Sequence, residues 1–154
     1  LDRFTGERDE AASHELFDLT IAALILLGRA DNYLDGVVHA YELQLLATLG
    51  YAPVLDRCVV CGAAPGRGAG FSPALGGIVC RDDRHKAGDA LPVSVEATEL
   101  LQALQESDAE RALALRPSPK AAADTAKALR WFVRYRSERA LKSADFLDQL
   151  RATA

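Results

Sequence analysis

Apolar residues recur along much of this chain at intervals of three and four, the spacing of one face of an α-helix. Residues 10–29 have this pattern over a wide stripe, and residues 36–49 have it again. The second segment ends at Gly50, which suits the left-handed position after a helix, and Pro53 prevents its continuation. Two helices are therefore predicted, and the second has its apolar stripe at Val37, Tyr41, Leu45 and Leu49.

The helical spacing returns in the last third of the chain, where four places suit the start of a helix. Serine side chains accept hydrogen bonds from first-turn N–H groups, and proline fits the first helical position. The third of these helices is predicted to run to about residue 141, and the fourth to be only a turn or two. The predicted starts are Ser94, Ser107 with Glu110 in a capping box, Ser118 followed by Pro119, and Ser143.

Residues 57–86 break the helical pattern with glycine and proline. The pieces GFS and GGIVC, on either side of the turn after Pro73, predict a short β-hairpin that has no core of its own. The predicted fold class is mainly α: a single helical bundle domain over residues 1–154, with a small β-hairpin inserted at 57–86. An apolar content of 49% is enough to form one core.

The inserted segment also contains all three cysteines of the chain. Cys58 and Cys61 form a C-x2-C pair, whose turn brings both sulfurs to one point, and Cys80 is the third candidate ligand. Structural zinc takes four ligands in a tetrahedron. The fourth is Asp83 by register, which completes C-x2-C-x18-C-x2-D, or His85 by ligand type, because imidazole binds zinc well. The hairpin is therefore predicted to be zinc-finger-like, with structural zinc bound.

Two other interpretations of the cysteines stay open. The segment can be a degenerate finger that folds without metal, or the thiols can do redox or catalytic work. Buried structural thiols are disfavoured because the glycine- and proline-rich sequence between them offers little apolar surface. A redox role rests on C-x-x-C alone, because the βαβ pattern expected around such a motif is missing.

The net charge of −4 conceals two basic segments in an acidic frame. Residues 57–86 carry five basic and two acidic groups, and residues 120–142 carry seven and two. Phosphate contacts of such cations add salt-dependent affinity for nucleic acid without sequence preference. The candidate DNA-binding residues are Arg57, Arg81, Arg84 and Lys86 in the finger, and Lys127, Arg130, Arg134 and Arg139 in the long helix.

The alternative for the basic helix is a solvated face, with Arg134 and Glu138 paired one turn apart. Trp131 and Tyr135 on the same helix can stack on bases if they are exposed. Packing in the core is the favoured prediction for both rings.

Enzymatic and membrane functions have little support in the sequence. There is no G-x-S-x-G motif or phosphate-binding loop, and His14 and His39 lie singly on predicted helices. No enzyme is therefore predicted. No apolar run has the length of a membrane span, and the first residues lack the layout of a signal peptide, so a cytoplasmic location is expected. The chain contains no methionine, which suggests a fragment that lacks an N-terminal part.

Three stretches together resemble the RecO family of DNA repair and recombination mediators: YELQLLATLGYAPVLDRCVVCG, FSPALGGIVC and RALKSADFL. The resemblance covers essentially the whole chain and corresponds to the helical and zinc-finger portion of the family. It implies finger ligands at Cys58, Cys61 and Cys80, with the usual fourth cysteine of the family replaced by Asp83. It also implies that the N-terminal OB-fold domain of the family is absent from this chain.

The resemblance further implies a non-enzymatic role in recombinational repair. Members bind single- and double-stranded DNA, anneal complementary strands, and load the recombinase together with RecR and the single-stranded DNA-binding protein. The expected location is the bacterial cytoplasm, in association with the nucleoid, with no membrane contact. The alternative is a protein-docking module with a structural zinc finger and no direct DNA contact, which explains the acidic frame but leaves the basic helix without a role.

Overall fold

The structure is a computed structural model that describes residues 17–18, 20–21 and 33–152, with residues 140–152 described as helical backbone. The predicted helix over residues 10–29 lies outside the described residues, except at the four positions just given, which are helical. The described helices are α1 (Leu34–Thr48), α2 (Val95–Glu106), α3 (Ala109–Ala114) and α4 (Pro119–Ala152). The strands are β1 (Gly70–Ser72), β2 (Gly77–Val79) and β3 (Leu91–Pro92), and a single 3₁₀ turn spans Arg84–Lys86.

The predicted fold class is confirmed, because helices dominate and the strands form one small antiparallel sheet. The predicted hairpin pairs β1 with β2, with Phe71 opposite Ile78. Its turn is tight, and Gly76 adopts a positive φ of 79° there. A third strand was not predicted: β3 pairs with the other edge of β1, which gives the order β2-β1-β3. At two residues, β3 is too short to show an alternating pattern in the sequence.

The sheet and the helices share one hydrophobic core. Phe71 of β1 meets Phe132 of α4 edge to face, with ring centroids 5.5 Å apart, and both side chains are fully buried. Ile78 of β2 lies in the same cluster. The apolar side chains of the hairpin are therefore buried against the helices. The helical residues around this pair include Leu43, Leu46, Leu100, Leu101, Leu104, Ala128 and Leu129.

Helix α1 is where it was predicted, but its buried face is different. The buried residues are Gly36, Val37, Ala40, Leu43 and Leu46, whereas Leu49 of the predicted stripe is 55% exposed. Residues spaced by four drift about 40° around a helix at each step, since 3.6 residues make one turn. A stripe made only of such steps therefore leaves the core. Contacts of α1 with α2, α3 and α4 instead bury a wider face of this helix than the predicted stripe.

Two of the four predicted helix starts are confirmed. Ser94 and Ser118 accept hydrogen bonds from the N–H groups of Ala97 and Ala121. The predicted cap at Ser107 is wrong: the side chain of Asp108 accepts from the N–H of Arg111 at 2.8 Å and begins α3. The carboxylate of Asp108 is an equally good cap one residue later.

The long last helix does not end near residue 141, and no separate turn begins at Ser143. The backbone is helical without interruption to Ala152. Residues 140–152 contain no glycine or proline, so nothing in them stops a helix, and one interior serine costs only tenths of a kcal/mol. Despite its length α4 is polar, and among the helices that the structure describes none is apolar enough over sufficient length to cross a bilayer.

Candidate metal centre and basic surfaces

The first cysteine pair lies on a tight turn that follows the segment after α1. The N–H of Gly62 donates to the carbonyl of Cys58 at 2.9 Å, and Gly62 has a positive φ of 77° that favours glycine. The N–H of Val60 points at the Sγ of Cys58, 3.4 Å away. The turn thus presents the sulfur of Cys58 to the interior, where the residue is 1% exposed, and leaves Cys61 exposed.

The second half of the candidate centre comes from the end of strand β2. Cys80 directly follows the strand, and its N–H donates to the Sγ of Cys58 at 3.3 Å. Asp83 then occupies the position just before the 3₁₀ turn, and its carboxylate faces the thiols and makes no capping bond to the turn. The hairpin and the first cysteine turn are therefore joined by the sulfur of Cys58 and by the backbone bond from the Val59 N–H to the carbonyl of Ile78, at 2.8 Å.

The three cysteines and Asp83 form one cluster whose ligand atoms all lie within 4.8 Å of one another. The Sγ atoms of Cys61 and Cys80 are 3.8 Å apart, and Asp83 Oδ2 is 3.4 Å from the Sγ of Cys80. A tetrahedral zinc ion with Zn–S bonds of ~2.3 Å requires sulfurs ~3.8 Å apart. The chemistry and the spacing of the donor set therefore fit a structural metal ion.

His85, the other predicted candidate for fourth ligand, lies outside this cluster. Its Nδ1 is 2.7 Å from the carbonyl oxygen of Asp82, and its side chain is exposed. Because the 3₁₀ turn points Asp83 toward the sulfurs, the residue two positions later faces outward. The structure thus brings the residue favoured by register to the thiols and not the residue favoured by ligand type.

Hydrogen bonds within the cluster change the acidity of its members. Donation from the Cys61 thiol and from the Lys86 ammonium holds the pKa of the Asp83 carboxyl well below its usual range. The same carboxylate raises the pKa of the Cys61 thiol to about 12. Burial alone raises the pKa of Cys58, but backbone N–H groups that point at its sulfur lower this pKa on balance. The cluster thus contains one carboxylate and one thiol that already favour the anionic form a metal needs.

The four predicted DNA-binding cations of the finger lie in different environments. Lys86 Nζ is 2.6 Å from Asp83 Oδ1, so it orients the carboxylate whose other oxygen faces the sulfurs. Arg84 is half-buried and donates to the carbonyl of Gly68 at 3.3 Å. The stem of Arg81 packs beside the same glycine, and the exposed Arg57 pairs with Asp56 at 3.0 Å. Two of the four cations are thus paired with carboxylates, and the other two lie beside Gly68.

The four predicted cations of α4 are exposed. Arg134 pairs with Glu138 at 2.8 Å, as expected for a solvated face, and this pair holds the pKa of Arg134 above its usual value. Arg139 lies over the ring of Tyr135, with 5.9 Å between the guanidinium carbon and the ring centroid. Trp131 is 50% exposed, so its predicted place in the core is wrong. Phe132, the next residue, takes that place because α4 turns it toward the sheet.

One residue that the sequence did not single out joins α4 to the hairpin. The guanidinium of Arg136 lies 4.9 Å from the ring centroid of Phe132 and 5.4 Å from that of Tyr51. A Cβ added at Gly76, in the hairpin turn, would lie 2.9 Å from Arg136 Nη2. Nothing in the sequence indicates that Arg136 has a different environment from the neighbouring arginines. Only its phase on the helix, one turn after Phe132, places it against the hairpin.

A groove of about 370 Å³ lies between α1 and α4. Within it, His39 Nδ1 is 3.0 Å from a carboxylate oxygen of Glu42. Two of the predicted DNA-binding cations line the opposite wall. The lining residues are His39, Glu42, Ala126, Arg130, Val133 and Arg134.

Comparison with known proteins gives a consistent result. A family model described as "Recombination protein O C terminal" matches residues 1–145. A protein named DNA repair protein RecO from Symbiobacterium thermophilum is 37% identical over 155 residues, which cover 99% of this chain and 60% of the relative. Proteins of the same name from a Roseiflexus species and from Pelotomaculum thermopropionicum are 38% and 35% identical, and 53% and 54% of their lengths are covered. The chain thus spans about half to three fifths of these relatives. No solved structure was found to match it.

Proposed function

This chain belongs to the RecO family, and we propose that it acts in DNA repair and homologous recombination as a non-enzymatic mediator that binds DNA. The family match over residues 1–145 is the observation that carries this proposal. Its relatives are named for DNA repair. The mediator role follows the resemblance of the helical and finger portion to that family.

The exposed cations of α4 support direct contact with DNA. Arg130 and Arg134 are one turn apart, so an extended phosphate backbone can lie along the helix and meet both. Each neutralised phosphate releases counterions, which gives affinity that falls with salt and does not depend on base sequence. We propose the same role for Lys127 and Arg139 and, in the finger, for Arg57, Arg81, Arg84 and Lys86.

The finger is proposed to hold zinc through Cys58, Cys61, Cys80 and Asp83. Zinc bound by these residues would have a structural role and would hold the two turns to each other. Lys86 orients the carboxylate. Because Phe71 and Ile78 pack into the shared core, residues 57–86 are proposed to be an inserted subregion of one domain, with the metal stabilising the end of the hairpin.

The partners proposed for the mediator are RecR and the single-stranded DNA-binding protein, together with single- and double-stranded DNA. The proposed location is the bacterial cytoplasm, in association with the nucleoid.

The double variant Arg130→Ala with Arg134→Ala is expected to weaken DNA binding to a similar degree for all sequences. The slope of log K against log salt should become shallower by about 1 to 2, at ~0.7 to 0.9 per lost phosphate contact. Fluorescence anisotropy with labelled oligonucleotides over a salt series measures this slope. A matched control is Arg111→Ala with Arg116→Ala, which removes the same charge from exposed positions outside α4. Equal slopes for both double variants would reject phosphate contact by α4 and favour a docking module.

Asp83→Ala is expected to lower the metal content of the purified chain more than His85→Ala does. The carboxylate of Asp83 lies among the sulfurs, whereas His85 contacts the backbone of Asp82. Elemental analysis after gel filtration measures the metal-to-protein ratio. The His85→Ala variant serves as the control, since it changes the same loop. The reverse order of metal contents would show that the loop rearranges to bind through imidazole.

A further inference from the structure

Trp131 is a large apolar side chain that faces solvent in the middle of a basic helix. Half of its surface is exposed, whereas the adjacent Phe132 is fully buried. It is also the single tryptophan of the chain. Single exposed apolar side chains are common on protein surfaces, so the surroundings of Trp131 and not its exposure alone carry the argument.

The neighbours of Trp131 on the helix surface are cations and a second aromatic ring. Lys127 lies one turn before it, Tyr135 lies one turn after it, and Arg134 is three residues on. Tyr135 is half-buried, and Arg139 Nη1 donates to its hydroxyl oxygen at 3.4 Å. Rings and positive charges thus alternate along one side of α4. We refer to Lys127, Trp131, Arg134, Tyr135 and Arg139 together as the aromatic stripe.

We propose that the aromatic stripe binds single-stranded DNA, with an unpaired base stacked on the indole of Trp131 and the adjacent phosphates contacted by Lys127 and Arg134. This rests on the proposed function and adds to it the surface and the residue that contact an unpaired strand. Aromatic rings flanked by cations form the usual platform for single strands, because every base offers a flat face and every nucleotide a negative charge.

Duplex DNA is a poorer ligand for this stripe. Its bases are already stacked on each other, so it offers only phosphates to the helix, and the indole gains no partner. A protein with an acidic surface is the competing occupant, because Trp, Tyr and Arg are also enriched at protein interfaces and the exposed residues nearest to Trp131, Lys127 and Arg134, are basic. Glu138, the acidic residue at the end of the stripe, is paired with Arg134 at 2.8 Å.

The single tryptophan allows a direct test with the 154-residue chain in low salt. Its intrinsic fluorescence is recorded during titration with an oligothymidine, with an abasic strand of the same length, and with a duplex of the same length. We expect the oligothymidine to quench Trp131 strongly at saturation. The abasic strand has the same phosphates without bases and is expected to bind without comparable quenching, as is the duplex. Equal quenching by all three ligands would overturn base stacking.

Substitution provides a second readout that does not depend on fluorescence from the chain. Trp131→Ala is expected to weaken binding of labelled oligothymidine by about 5- to 100-fold, the loss of one stacked base. The salt slope should stay unchanged because no charge is removed. Trp131→Phe keeps an aromatic face and should recover most of the affinity. Val95→Ala, at an exposed apolar position on α2, is the control and should bind like the parent chain.

The outcomes separate this proposal from the one on which it rests. If the parent chain binds no DNA in low salt, DNA binding by this chain fails and the stripe proposal fails with it. If the parent chain binds oligothymidine, but Trp131→Ala binds equally well and Trp131 is not quenched, only the stripe proposal is overturned. The exposed indole would then be assigned to contact with a protein.

Discussion

Replacing Cys58 with serine is expected to abolish stoichiometric metal binding and to lower the free energy of unfolding by several kcal/mol. Its sulfur accepts from the N–H groups of Val60 and Cys80, and it also lies 3.6 Å from Asp83 Oδ2. It therefore connects both halves of the cluster. A metal ion present at 1,000 times its dissociation constant stabilises the folded chain by about 4 kcal/mol, and the variant loses this term.

The shared core limits how far this damage should spread. Phe71 and Ile78 pack with the helices, so we expect the helical circular dichroism of Cys58→Ser to stay close to that of the parent chain. Urea unfolding with and without a chelator gives the measurement. The parent chain should fall to the stability of the variant when chelator is added, and the variant should not respond. A parent chain whose unfolding midpoint is insensitive to chelator would contradict a structural metal and favour a finger that folds without one.

Local sequence rules succeed where the determining residues are neighbours. Ser94 and Ser118 cap their helices, and Gly50 takes the positive φ expected of it, because each depends on a few adjacent atoms. The C-x2-C spacing and the register of Asp83 also predict correctly which side chains come together, since tight turns fix where those side chains point. The sequence left Asp83 and His85 as alternatives for the fourth ligand. The 3₁₀ turn that directs Asp83 toward the sulfurs and His85 away from them could not be predicted.

Features set by long-range packing could not be predicted. The apolar spacing of α4 places Phe132 with Leu129, but the contact of its ring with Phe71 across the core could not be predicted. Arg136 resembles its neighbouring arginines until the hairpin turn is placed beside it. The burial of α1 depends on three helices at once. In each case the deciding partner lies far away in the sequence, where periodicity carries no information.

Gly77→Ala is expected to destabilise the chain by about 2 to 5 kcal/mol, combining overpacking with the loss of one or two hydrogen bonds. A Cβ at Gly77 would overlap the carbonyl oxygen of Val54, a backbone atom that cannot rotate away. Val54 is paired to this strand at both its polar groups: its N–H donates to Gly76 and its carbonyl accepts from Ile78, each at 2.9 Å. An alanine must push this segment off the sheet and break that pairing.

Val54, which packs directly on Gly77, belongs to the segment that connects α1 to Cys58. Displacing this segment should therefore also disturb the metal centre. We expect Gly77→Ala to lower the urea midpoint and to weaken metal retention during dialysis. Gly88→Ala is the matched control, because a Cβ there meets nothing within 4 Å and the residue is exposed. If both alanine variants unfold at the same urea concentration, the close approach of Val54 to the sheet is not a constraint on this fold. A lower urea midpoint for Gly77→Ala alone would show that the contact of Gly77 with Val54 helps to position the finger on the helical core.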